Sequence, residues 1–209
     1  MMKIILSILG FFILMLFPFY VMIWVAVWFS TFGYGHYMFG FIIGASVALA
    51  YIIGIRWFIL KKFYPKSKHE FEGLVLFKSF AFVLIVFLWY GILDWTQLPH
   101  YRVNIKNELN DLHPVLRLAV GVLARIEPDI IITDLSRNPM DYRQMGLKVN
   151  RNSRHYIQID GYSHAIDLNT SENTFLKNFM IKNYFNALGF HTLRHTGTGD
   201  HLHVELPLK

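Results

Sequence analysis

The 209-residue sequence contains no cysteine. That absence excludes a disulfide framework, Cys-ligated zinc and a thiol nucleophile, so any metal site must be built from His, Asp and Glu. Charge is also scarce, at 16% of residues against roughly 25% in a soluble domain. The deficit is local: residues 4–55 contain no Lys, Arg, Asp or Glu, whereas residues 98–209 carry 13 basic and 11 acidic side chains. Fifty-two consecutive uncharged residues exclude both a disordered chain and a single soluble globule. The pattern predicts a membrane anchor over residues 1–97 followed by a water-soluble domain over residues 98–209.

A helix needs about 20 apolar residues to cross the hydrocarbon core. Three segments satisfy this, at about residues 4–29, 37–60 and 74–93, and three transmembrane helices are expected. Pro18 kinks the first, and Lys78 snorkels from the third. The first segment is read as retained, because its apolar core is too long for a cleaved signal peptide and no small-residue cleavage site follows. Gly40, Gly44 and Ala48 suggest close helix packing. Trp24, Trp28, Trp57, Trp89 and Trp95 lie near span ends, as interfacial aromatics or as residues packed between helices.

Residues 30–36 carry no charge, while residues 56–68 carry five basic side chains and no acidic one. Positive loops stay in the cytoplasm, so the N-terminus is expected inside and residues 98–209 outside. The net charge of +6 belongs mostly to the membrane part and serves as a topology signal, with no nucleic-acid partner expected.

In the soluble part, residues 98–110 read as a polar linker. Leu112, Val115, Leu116, Ala119, Val120, Leu123 and Ile126 recur at helical spacing and predict a helix ending before Pro128. A buried strand is expected at 129–133, a turn at 134–139, and strand, turn and strand over 156–168 around Asp160-Gly161. Ser171 reads as the N-cap of a helix over 172–188 closed by Gly189. Residues 190–193 and 202–206 flank 196–199 as a hairpin. The fold class is α+β, a small antiparallel sheet with flanking helices.

Eight of the ten histidines fall in residues 98–209. His201 and His203, two apart in a strand, share a face. Ser153-Arg154-His155 precedes Ala165-Ile166-Asp167, and Asp200-His201-Leu202-His203-Val204-Glu205 follows near the end. Upstream stands Ile132-Thr133-Asp134-Leu135-Ser136-Arg137-Asn138-Pro139.

Residues 131–206 thereby resemble the zinc D-alanyl-D-alanine carboxypeptidase, dipeptidase and phage endolysin family, whose fold is shared with the hedgehog signalling domain. The family motifs are S-x-H-x-x-G-x-A-x-D and an acidic residue three positions before a His, after a strand that ends in a segment like I-T-S-G-Y-R-S-P. The resemblance implies a hedgehog/DD-peptidase-like fold, zinc held by His155, Asp167 and His203, Asp200 as general base, and Arg137 as a cation beside the substrate or its oxyanion. Ser153, His201 and His164 are then substrate-facing or supporting residues. Arg137 is open to a second reading, an ion pair with Asp134 or Asp141.

The sequence departs from the family in three places. Asp167 follows His155 by twelve positions rather than seven, so about five residues are inserted. Ser163 replaces the motif glycine, and Asp200 stands where Glu is common. If the insertion does more than lengthen a hairpin, His164 replaces His155 as ligand or the site is inactive. The expected function is hydrolysis of peptidoglycan stem peptides or cross-links by a zinc peptidase anchored in the bacterial cytoplasmic membrane. The alternative is a non-catalytic zinc module that binds wall peptide or an envelope protein.

Overall fold

A computed structural model describes residues 2–32, 37–63, 108–197 and 199–207, with positions 77, 78, 81 and 85. Two long helices open the chain, α1 (Met2–Thr31), with Pro18 inside it, and α2 (Tyr37–Phe63). Among the described residues one segment, Tyr37–Ile55, is long and apolar enough to cross a membrane. The expectation of three such helices is thus met by one. The apolar stretch described in α1, Phe17–Thr31, is shorter than a span, and the expected span 74–93 lies outside the described residues except for 77, 78, 81 and 85.

The α1–α2 contact is built on small residues. A Cβ added at Gly44 would stand 2.5 Å from the Met22 carbonyl oxygen, and one at Gly40 would stand 3.2 Å from backbone atoms of Ala26. Absent side chains let the two backbones approach, as in other small-residue helix pairs. Trp24, Trp28 and Trp57 remain exposed.

The second half of the chain is an α+β unit. Its helices are α3 (Pro114–Ile126), α4 (Pro139–Gln144) and α5 (Phe175–Ala187). Its strands are β1 (Ile132–Asp134), β2 (Ala165–Asn169), β3 (His191–His195) and β4 (His201–Glu205), arranged β1-β2-β4-β3 with every pairing antiparallel. The small antiparallel sheet with flanking helices is therefore present. The helical period of α3 turns Val115, Leu116, Ala119, Val120 and Leu123 into the core, where they meet Ile166 and Leu168 of β2, Leu202 and Val204 of β4, and Phe185 of α5. The same buried cluster includes Ile23, Ala26 and Val27 of α1 and Phe41 of α2, so the apolar helix pair packs directly onto the α+β unit. Gly189 follows α5 at φ +92° with Val27 and Trp24 against its backbone. There a side chain would be both strained and crowded.

Several element boundaries differ from the expectation. Residues 156–164 form no strand: Tyr156 makes a single bridge to Arg137, and only 165–169 is extended. Local bonds satisfy this backbone instead, with Gln158 N–H donating to Tyr162 O at 2.8 Å and His164 N–H to Arg154 O at 2.8 Å. Thr174, not Ser171, caps α5, its hydroxyl accepting Lys177 N–H at 3.2 Å, because the Ser171 amide and hydroxyl are held by Asn169 Oδ1. The first strand starts at Ile132 instead of 129, and Asn138-Pro139 opens the unexpected helix α4 through a capping box with Asp141.

Candidate metal centre

Three of the expected site residues converge. Asp167 and His203 are cross-strand partners on the central strands β2 and β4, whose period of two turns both side chains to one face. His155 reaches them from the loop that bridges to Arg137. His203 Nδ1 lies 2.8 Å from Asp167 Oδ1, and His155 Nε2 lies 3.3 Å from the same oxygen and 3.2 Å from His203 Nδ1. One ligand atom from each residue falls within 4.8 Å of the others, a group that can hold a metal ion. Between His155 and Asp167 the chain turns at Asp160-Gly161, where Gly161 has φ +86°.

The hydrogen bonds around His155 orient its ring. Its Nδ1 lies 2.7 Å from the carbonyl oxygen of Leu135, which can only accept, so Nδ1 carries a proton and Nε2 is the nitrogen that faces Asp167 and His203. Ser163 donates its hydroxyl to the same carbonyl at 2.9 Å and so helps hold this loop. Ser153 Oγ accepts the His155 amide at 3.3 Å and helps line the cleft. A neutral imidazole with its outer N–H bound to a carbonyl is the form that ligates metals.

Electrostatics agrees with this arrangement. Burial would raise the Asp167 carboxyl, but the imidazoles of His155 and His203 beside it outweigh that and hold it well below the usual carboxylate range. Burial would lower His203, but Asp167 on one side and Glu205 on the other raise it. Glu205, for which the sequence suggested no role, has Oε2 3.3 Å from His203 Nε2. Its signal was spacing alone, two residues after His203 on the same strand face.

A cleft of about 400 Å³ opens over this group, bounded by Arg137, His155, Asp167, His203, Glu205 and the β3 edge. A second hollow of about 610 Å³ shares Asp167 and His201 with it. Arg137 makes the expected ion pair with Asp134, Nε donating to Oδ2 at 2.7 Å, and its Nη2 is 3.6 Å from Asp167 Oδ2. Arg137 is thus paired with Asp134 while lining the cleft.

Asp200 is placed differently. It lines the second hollow and not the cleft, with Arg194 Nη2 2.9 Å and Arg194 Nε 3.2 Å from its carboxylate and the Thr170 hydroxyl 2.6 Å away. The Arg194 guanidinium and the Thr170 hydroxyl hold its carboxyl below the usual range. His201 lies between, with Nε2 3.8 Å from Asp167 Oδ2 and its ring stacked on His195 at 4.8 Å.

His164 does not substitute for His155. It is buried at 3% exposure, away from the cleft, and Nε2 donates to Asp160 Oδ2 at 2.7 Å. His113, which no motif singles out, packs its ring 4.9 Å from that of His164, with Nε2 3.9 Å from Asp160 Oδ2. His113, Asp160 and His164 form a second group whose spacing can hold a metal ion. Its donors fit less well. His113 Nδ1 accepts the Val115 amide at 3.3 Å as the cap of α3, which puts the proton on the Nε2 that would have to bind.

In comparisons with protein-family models, with curated proteins and with solved structures, nothing matches this chain.

Proposed function

We propose that this chain is a membrane-anchored zinc peptidase of the D-alanyl-D-alanine carboxypeptidase, dipeptidase and endolysin type, acting on D-amino-acid-containing bonds of peptidoglycan stem peptides or cross-links. The convergence of His155, Asp167 and His203, with Nε2 of His155 turned inward by the Nδ1 contact to Leu135, carries the reading. Two imidazoles and a carboxylate suit zinc and leave a fourth position open. When bound there, zinc supplies an acidified water and a Lewis acid toward a peptide carbonyl.

The chain's own residues supply the rest. Arg137, fixed by Asp134, binds a substrate carboxylate or the oxyanion. Asp200 is the assigned general base, to take up a proton and return it to the leaving amine, although its carboxylate is held by Arg194 and Thr170 beside the cleft rather than in it. The cleft beside β3 receives the peptide. The anchor comprises spans at about 4–29, 37–60 and 74–93, with the N-terminus cytoplasmic and the peptidase facing the periplasm or exterior. Support for that direction comes from the five basic residues within 56–68.

One observation favours a second reading, a non-catalytic zinc module that binds wall peptide. The carboxylate assigned as base is occupied by Arg194 and Thr170. Metal analysis and stem-peptide hydrolysis on the full chain in detergent separate the two. Stoichiometric zinc with turnover supports the peptidase, zinc without turnover supports the module, and no zinc overturns both.

A further inference from the structure

The two nitrogens of His203 face two different carboxylates. Nδ1 points inward, 2.8 Å from Asp167 Oδ1, and Nε2 points outward, 3.3 Å from Glu205 Oε2. A neutral imidazole has one proton to place, and the two acids compete for it. With the proton on Nδ1, His203 donates to Asp167, and its lone pair, on Nε2, faces Glu205 and not His155 and Asp167. With the proton on Nε2, it donates to Glu205 and leaves Nδ1 open beside His155 Nε2.

Glu205 is well placed for that competition. Strand alternation sets it on the same face of β4 as His203, and its backbone is paired on both sides, with Ala165 of β2 and His191 of β3. It lies at the wall of the cleft, half-buried, with Oε1 3.7 Å from His191 Nδ1. We propose that Glu205 is a positioning residue for the metal: by accepting the Nε2–H of His203 it selects the tautomer that presents Nδ1 and fixes the ring plane toward Asp167 and His155. A carboxylate on the outer nitrogen also makes the inner one more basic. The inference rests on the metal site of the proposed function, and it holds for the peptidase and the non-catalytic module alike.

The test is metal affinity. The full chain in detergent is stripped with a chelator and titrated with Zn²⁺ against a chromophoric competitor, then with Co²⁺ to read the ligand field. Glu205→Ala is expected to weaken binding about 10–100-fold. Glu205→Gln, whose amide oxygen still accepts from Nε2, is expected to recover most of that loss. Thermal unfolding of the metal-free protein should be alike in wild type and Glu205→Gln. If Glu205→Ala does not fold, Glu205→Asp, with its carboxylate drawn back by one methylene, takes its place with a loss of the same direction. Wild-type affinity in the Ala or Asp variant overturns the role of Glu205. A wild-type chain that binds neither ion instead overturns the metal site on which the inference rests, a result visible before any variant is made.

Discussion

The carbonyl oxygen of Leu135 accepts the Nδ1–H of His155 at 2.7 Å, so a backbone atom just beyond β1 decides which nitrogen of His155 faces Asp167. Strand β1 is paired with β2, which carries Asp167. The carbonyl that orients one member of the group thus directly follows the strand paired with the one that carries another.

Replacing His155 tests this arrangement directly. His155→Ala should lower metal affinity by more than about 100-fold, beyond the effect of losing a supporting partner. His164→Ala should leave that affinity unchanged, since its imidazole is committed to Asp160. Competitive metal titration of both variants reads the difference.

Asp200 separates turnover from metal binding. Its carboxylate touches Arg194 and Thr170 and does not line the cleft. Asp200→Ala should therefore retain metal, and in the peptidase it should lose about 10²–10⁴-fold in stem-peptide hydrolysis, the usual share of a general acid–base residue. Unchanged hydrolysis would remove Asp200 from the chemistry.

The second histidine group predicts an acid-sensitive contribution to stability. Burial would raise the Asp160 carboxyl, but the hydrogen bond and charge of His164, the Tyr162 amide and His113 outweigh it, so its folded pKa lies below the ordinary value. A depressed carboxyl contributes stability that is fully present above the unfolded value of about 3.9 and is lost as pH falls through the folded one. Asp160→Asn should therefore be less stable than wild type at neutral pH, with the gap closing below about pH 4. Denaturant titrations across pH measure it.

Gly44 makes the helix pair sensitive to a single side chain. Its added Cβ would meet the Met22 carbonyl oxygen at 2.5 Å, whereas one at Gly54 meets nothing within 4 Å. Gly44→Leu should cost about 1–3 kcal/mol by forcing α1 and α2 apart. Gly54→Leu serves as the control, and thermal unfolding in detergent compares them.

Periodicity made the largest elements legible. The heptad-like recurrence from Leu112 to Ile126 marks α3, and the apolar run from Tyr37 marks α2, because burying a helix stripe or filling a bilayer imposes a composition that survives in one dimension. Asp167 and His203 were legible through motif and strand alternation. Of the stretch 156–168, the second strand is present as β2, while 156–164 misled because its apolar residues read as a strand and its amides bond within the loop and to Arg154. Sequence position alone said nothing of His113 beside His164, which are 51 residues apart and meet only once α3 is capped against that loop.

The division has a physical cause. Chain composition determined that one half is apolar and the other carries the charges and most of the imidazoles, because solvent preference is a property of each side chain taken singly. Which imidazole nitrogen faces the cleft, which carboxylate stands behind His203, and whether Asp200 faces the cleft or Arg194 were decided only by the tertiary structure. Each depends on hydrogen bonds a few ångströms long between residues distant in the chain, such as Leu135 with His155, which no local pattern encodes.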